Sequence, residues 1–216
     1  MREEYTTYKE IVEFYAKKIN IQSSVLGIGS GRTAFLLLNE CINANISGKE
    51  TIFTATSTET EVALASHERI AASMQGLDKI DLYFDGADYV DSSGWIIKGY
   101  GGAIFLERIA MHISELSVIV VPLSKCVHDF TNLYVPVEVV KPSLSLIKKH
   151  FDLHSCTYSI RYAGKNIYTT YLGNIILDVM YSPTLSDILN VPGIVAHGLI
   201  PPSSRTEIVI VKNPLY

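Results

Sequence analysis

Asp85, Asp88, Lys98 and Glu107 fall in one stretch that opens at Asp81, three acids and a lysine at the edges of apolar segments. A charged group in such a place costs solvation free energy unless it is paired or put to use. Acids beside a lysine are the materials of proton transfer and of charge stabilisation. Asp85 and Asp88 stand three residues apart in Asp85-Gly86-Ala87-Asp88, which reads as a turn with glycine at its bend. Lys98 follows Trp95-Ile96-Ile97 and leads into the glycines Gly99, Gly101 and Gly102, which let backbone approach a ligand. Taken singly, each charge is explained by a surface turn or an ion pair. Only the group favours a site.

A second chemical feature is Gly27-Ile28-Gly29-Ser30-Gly31-Arg32-Thr33-Ala34, between a short strand at Ser24–Ile28 and a helix that opens Phe35-Leu36-Leu37-Leu38. A strand, a glycine turn and a helix N-terminus bind an anion, because the first-turn amides are free and the dipole is positive there. A dinucleotide fingerprint would need glycine where Arg32 stands, and an acid closing the next strand, Ile52-Phe53-Thr54-Ala55. A nucleotide-triphosphate loop would need Gly-Lys-Ser/Thr. A compact phosphate ester fits better than NAD. Downstream, Thr56-Ser57-Thr58-Glu59-Thr60-Glu61 is a hydroxyl-rich turn in which Thr58 and Glu61 have capping-box spacing, and its free hydroxyls could also face a sugar.

The elements that must position these residues follow from periodicity. Residues 3–19 place Ile11, Val12, Phe14, Tyr15 and Ile19 among charges, as in an amphipathic helix. Ile80–Phe84 reads as a buried strand, Glu107 lies in a helix, and Val118–Val121 is a further strand running to Ser124-Lys125. Strands alternating with helices imply a parallel sheet covered on both faces, whose ligands bind beyond the strands' carboxyl ends. From about residue 132 the order changes to strand Tyr134–Val140, helix Ser143–Phe151, strand Cys156–Tyr162, strand Asn174–Val179, helix Pro183–Leu189 capped by Ser182, and strand Ile194–Leu199. This βαββαβ order is a ferredoxin-like unit. Pro201-Pro202-Ser203-Ser204 then reads as a linker to a last strand, Glu207–Val211, returning to the main sheet. The expected layout is an α/β main domain over 1–130 and 201–216, with a smaller α+β domain over 131–200.

Composition narrows the classes. The 216 residues are 48% hydrophobic and 19% charged, enough for a substantial core. A net charge of -4 gives no reason to expect nucleic acid or an anionic membrane as partner. Cys41, Cys126 and Cys156 are odd in number and in no metal spacing, which suggests buried thiols in a reducing compartment. No signal-peptide core or membrane-length apolar run is present, so a soluble cytoplasmic protein is expected. His150 and His154 would share a helix face, but two histidines do not close a metal site.

Over nearly its whole length the chain resembles the A-type ribose-5-phosphate isomerases. The resemblance is carried by Gly27–Ala34, Asp81–Asp88, Ile97–Ala103, Glu107, Ser124-Lys125, Pro136–Val139 and Gly173–Asp178, in family order and spacing. It implies a Rossmann-like main domain with a ferredoxin-like lid domain. The implied reaction interconverts ribose 5-phosphate and ribulose 5-phosphate through an enediol or enediolate, without metal, nucleotide or other cofactor, in a homodimer or homotetramer. By position, Glu107 matches the general base, Asp85 and Asp88 the acids that handle hydroxyl protons and ring opening, and Lys98 the cation at the enediolate. Ser30, Gly31, Arg32, Thr33, Lys125 and Lys9 match the phosphate end, with Gly99 and Gly101 beside the substrate.

The chain departs from the family pattern at Arg32, Tyr89, Tyr100 and the pair Phe105-Leu106, none of which removes a matched catalytic group. Tyr100, where a glycine is usual, is expected to have ordinary φ and a ring turned away from the substrate. Two rivals remain from the sequence: a non-catalytic sugar-phosphate sensor, and coenzyme A transfer through a glutamate nucleophile, which the Lys98 and Ser124-Lys125 matches disfavour.

Overall fold

Short apolar runs become strands and amphipathic segments become helices in a computed structural model whose described residues are 3–19, 24–43 and 51–212. The chain begins with β1 (Glu3–Tyr5) and α1 (Tyr8–Lys18), then β2 (Val25–Ile28), α2 (Gly31–Asn43), β3 (Ile52–Ala55), α3 (Thr58–Ser66) and β4 (Ile80–Gly86). Two short strands, β5 (Tyr89–Val90) and β6 (Ile96–Ile97), precede α4 (Ile104–Ile113) and β7 (Ser114–Pro122). Next come β8 (Tyr134–Val139), α5 (Leu144–Leu153), β9 (Tyr158–Ile160) and a hairpin of β10 (Tyr162–Ala163) with β11 (Asn166–Ile167). The chain ends through β12 (Ile175–Met180), α6 (Leu185–Ile188), β13 (Ile194–His197), β14 (Leu199–Ile200) and β15 (Thr206–Val211). Among the described residues no helix is long and apolar enough to cross a membrane.

Two compact units emerge, one of residues 1–87, 106–126 and 203–216 and one of residues 88–105 and 127–202. The first is a Rossmann-like α/β unit with six parallel strands in the order β1-β15-β7-β4-β2-β3. Side chains alternate across it. Leu82 and Phe84 of β4 pack with Ile11 and Val12 of α1, Leu37 and Leu38 of α2 and Leu64 of α3. Tyr83, on the other face, packs with Ala110 of α4. The chain leaves β2 for one neighbour, β3, and later returns to the other, β4. That reversal is the switch point at which open parallel sheets bind ligands.

In the second unit β8, α5, β9, β12, α6 and β13 form the expected βαββαβ unit, its antiparallel sheet ordered β13-β8-β12-β9. Ile147 and Phe151 of α5 cover Val137, Val139, Leu177 and Val179. A smaller sheet of this unit pairs β14, β6 and β5. Glu138, buried in β8, accepts hydrogen bonds from Thr170 Oγ1 at 2.8 Å and Asn174 Nδ2 at 3.0 Å, so this matched motif residue ties down a turn.

Six local expectations are corrected. Glu3–Tyr5 is a strand, because it pairs with Val209–Val211, a partner no local pattern reveals. Helix α1 starts later, where Thr7 and Glu10 form a reciprocal capping box. The cap of α3 is Ser57, whose hydroxyl accepts from the Thr60 N–H at 3.2 Å, and Thr58 is the first helical residue. Helix α6 is a single turn after Thr184, without a side-chain cap from Ser182. Asp85 and Gly86 belong to β4 rather than to a turn, and Leu199 leaves the four-stranded sheet to pair with Ile97.

Candidate active site

In the first unit the carboxyl ends of β2 and β4 are tied directly, the Gly29 N–H donating to the Phe84 carbonyl at 2.8 Å. Alternation along β4 puts Asp85 on the same face as Tyr83, the side covered by α4. Asp85 is wholly buried. Its Oδ1 accepts from the Gly86 N–H at 2.7 Å and its Oδ2 from the Tyr83 hydroxyl at 2.5 Å. The carboxylate lies flat against Gly29, where a Cβ would stand 1.9 Å from Asp85 Cγ. Glycine at this position makes room for an acid, whatever else the turn binds.

The next residues complete the cluster. The Ser30 hydroxyl donates to Glu107 Oε1 at 2.6 Å, and Glu107, in the first turn of α4, is 3% exposed. Gly31 opens α2 at φ 78°, a left-handed conformation that suits glycine. The Thr60 hydroxyl holds the Gly29 carbonyl at 2.7 Å, so the hydroxyl-rich segment braces the turn. Thr33 packs against Gly86, and Lys125 Nζ donates to the Ala87 carbonyl at 2.6 Å. Burial, and then the negative charges of Asp85 and Glu107, push the Tyr83 phenol well above its ordinary pKa. It therefore stays protonated and remains a donor to Asp85.

The second unit carries the other predicted residues. Asp88 Oδ2 accepts from the Tyr100 N–H at 2.9 Å, and Lys98, 3% exposed, is anchored by its own N–H to the Gly198 carbonyl at 2.9 Å. Gly99 and Gly101 follow in the same loop. Tyr100 lies outside the left-handed region. Its ring packs edge-on against Tyr89, its hydroxyl donates to the Tyr134 carbonyl at 3.1 Å, and burial raises its pKa to about 12. A cavity of about 380 Å³ is lined by Tyr100, Tyr134, Ser159, Arg161 and Asp178.

The first unit thus brings Ser30, Asp85 and Glu107 around one turn, with Thr33 and Lys125 packed at the same strand ends. Arg32 is exposed at the start of α2. Lys9 is exposed on α1, 3.9 Å from Glu13. Tyr83 escaped the sequence reading, and Thr60, expected among free hydroxyls that could face a sugar, is instead engaged by the Gly29 carbonyl. A tyrosine two residues before an acid on a strand shares its face, and that spacing was the available signal for Tyr83. The His150 and His154 rings lie 4.6 Å apart, with His150 Nε2 3.0 Å from the Ile188 carbonyl. Among the described residues no group of three or more His, Cys, Asp or Glu could hold a metal ion.

Two buried carboxylates at the switch point of a parallel sheet that lacks a dinucleotide fingerprint define an α/β protein suited to proton transfer on a small substrate. The family model of ribose 5-phosphate isomerase A (phosphoriboisomerase A) matches residues 52–214, and the chain belongs to that family. A ribose-5-phosphate isomerase A of Prochlorococcus marinus is 32% identical over 212 residues, covering 92% of this chain and 89% of the relative. The fold matches that of the ribose 5-phosphate isomerase from Plasmodium falciparum with TM-score 0.83 at 24% identity, over 95% of this chain and 94% of that one. A D-ribose-5-phosphate isomerase in complex with phospho-erythronic acid has TM-score 0.81 at 25% identity, with coverage of 95% and 94%.

Two substitutions test the cluster. Gly29→Ala drives a methyl into the Asp85 carboxylate and is expected to destabilise the protein by about 1–3 kcal/mol, as overpacking does. An unchanged urea midpoint would show that Asp85 swings away freely. Tyr83→Phe leaves a buried carboxylate oxygen without its phenolic donor and is expected to lower stability by about 1–3 kcal/mol. Denaturation of the two proteins side by side checks this, and wild-type stability would remove Tyr83 as a support for Asp85.

Proposed function

We propose that this protein interconverts D-ribose 5-phosphate and D-ribulose 5-phosphate through an enediol or enediolate, with Glu107 as the proton-transfer base. The observation that carries this reading is the buried Glu107 held by Ser30, one residue along the turn from the Gly29 that cradles Asp85. A proton on the carbon beside a carbonyl is only weakly acidic. Its removal needs a positioned base and a positive group at the oxygen where charge develops.

In the open-chain aldose, Glu107 takes the C2 proton and the electron pair moves through C1 onto the carbonyl oxygen. Return of that proton to C1, with loss of the hydroxyl proton from the oxygen on C2, yields the ketose. The net change is redox-neutral, so the chemistry calls for no hydride carrier. Asp85 carries the proton between the two oxygens, Lys98 stabilises the enediolate, and Asp88 assists ring opening. Gly31, Arg32 and Thr33, at the start of α2, hold the phosphate together with Lys125 and Lys9, and Gly99 and Gly101 lie along the sugar. Ser30, which donates to Glu107, orients the base. The phosphate supplies remote binding energy that fixes the reacting carbons. Phospho-erythronic acid, held by a relative, joins a phosphate to an anionic carboxylate, the pairing that an enediolate 5-phosphate presents. Residues 131–200 act as a lid, and the working form is a cytoplasmic homodimer or homotetramer.

Chelator-treated protein is expected to form ketose from ribose 5-phosphate. Glu107→Gln keeps the shape but not the basicity, and kcat should fall by about 10²–10⁴-fold with modest change in KM. Near-normal turnover by this variant would remove Glu107 from the mechanism. Wild-type binding without turnover would leave a sensor, and neither binding nor turnover would end the reading. Light scattering is expected to give two or four times the mass of one chain, and a monomer would overturn the assembly.

A further inference from the structure

We propose that Arg161 is a positioning residue for the Lys98–Gly102 loop, fixing the loop's carbonyls and thereby aiming its amide N–H groups. Its consequence for catalysis rests on the isomerase reading above. Arg161 follows β9, beside the central strand β12 that carries Asp178. Nε donates to Asp178 Oδ2 at 2.9 Å and Nη2 to Asp178 Oδ1, a forked pair. Held this way, Nη1 donates to the Gly99 carbonyl at 2.9 Å and to the Tyr100 carbonyl at 2.8 Å. The Tyr168 hydroxyl takes the next carbonyl, Gly101, at 3.0 Å. Three successive carbonyls are thus held by side chains of one neighbouring segment.

A trans peptide is planar, so its N–H points away from its C=O. No cis peptide occurs among the described residues. Pulling the Gly99 and Tyr100 carbonyls towards Arg161 turns the N–H groups of Tyr100 and Gly101 the other way. The Tyr100 N–H meets Asp88 Oδ2 there at 2.9 Å. The guanidinium therefore sets the backbone between Lys98 and Gly102 and, through one peptide plane, the orientation of Asp88.

The residue type supports this role. A planar guanidinium can fork onto a carboxylate and still reach two carbonyls, whereas an ammonium is a point donor on a flexible stem. The Arg161 and Asp178 side chains are 14% and 21% exposed. A largely buried ion pair is a poor way to gain stability compared with apolar packing, and is better suited to fixing one geometry. The cavity of about 380 Å³ lined by Tyr100, Tyr134, Ser159, Arg161 and Asp178 gives a small cation a route to this place.

The test combines a substrate-free readout with kinetics on the full chain. In Arg161→Lys and Arg161→Ala, hydrogen exchange of the peptide spanning residues 98–103 should quicken by about tenfold or more while β8 and β12 keep their protection. In Arg161→Lys, kcat should fall by about 10–100-fold with KM changed far less, the cost of a misaligned site. Millimolar guanidinium ion should restore part of the kcat of Arg161→Ala, and an equal concentration of sodium ion should not. Wild-type loop exchange in Arg161→Lys, or equal loss of protection throughout the second unit with wild-type kcat per folded molecule, would overturn the proposal. If the wild-type protein fails to isomerise ribose 5-phosphate, the functional reading falls and loop exchange alone decides whether Arg161 orders the loop.

Discussion

A carboxylate lying where a side chain would otherwise be is the contact on which the first unit depends. Asp85 occupies the space that any Cβ on Gly29 would need. It can be wholly buried because the Tyr83 hydroxyl and the Gly86 N–H meet its two oxygens. Without such partners a buried acid would take up a proton or force the strand ends apart. The same contact sets the path of the turn, since the Gly29 N–H and carbonyl are both engaged, by Phe84 and Thr60. Ser30, one residue on, then falls where it meets Glu107.

Three buried or largely buried polar groups share a logic: Tyr83, Glu138 and Arg161 are held by partners that set one geometry. Tyr83 faces two negative charges and stays protonated, so its donor role persists across the ordinary pH range. Glu138 fastens the turn that carries Thr170 and Asn174. Arg161 divides its donors between Asp178 and the loop carbonyls. Networks satisfied in this way become rigid, and half-satisfied ones are costly. A proton-transfer enzyme needs that rigidity, because a displacement of about 1 Å at the reacting atoms is worth orders of magnitude in rate.

Tyr100 shows how the fold absorbs a departure from the family pattern. Its backbone needs no glycine, and its ring finds neighbours in Tyr89 and the Tyr134 carbonyl. The structure also gives Ser30 a partner that the phosphate assignment did not anticipate. Its hydroxyl is engaged by a carboxylate, which no arrangement of glycines in the turn announces.

The alternation of strands and helices, the change to βαββαβ near residue 132 and the return of the last strand were legible in the sequence, and Asp85, Asp88, Lys98 and Glu107 stood out there as candidates. They depend on periodicity and spacing, which are local properties of the chain. Element ends were less legible, as Ser57 rather than Thr58 at the α3 cap shows. Only tertiary structure could make Glu3–Tyr5 a strand, since its partner Val209–Val211 lies at the far end of the chain. It alone could show that Gly29 is a glycine because Asp85 needs its space, that Ser30 holds Glu107, and that Arg161 reaches back to Gly99 and Tyr100. These are contacts between segments far apart in sequence, and their geometry is fixed by sheet order and packing, which no local pattern encodes.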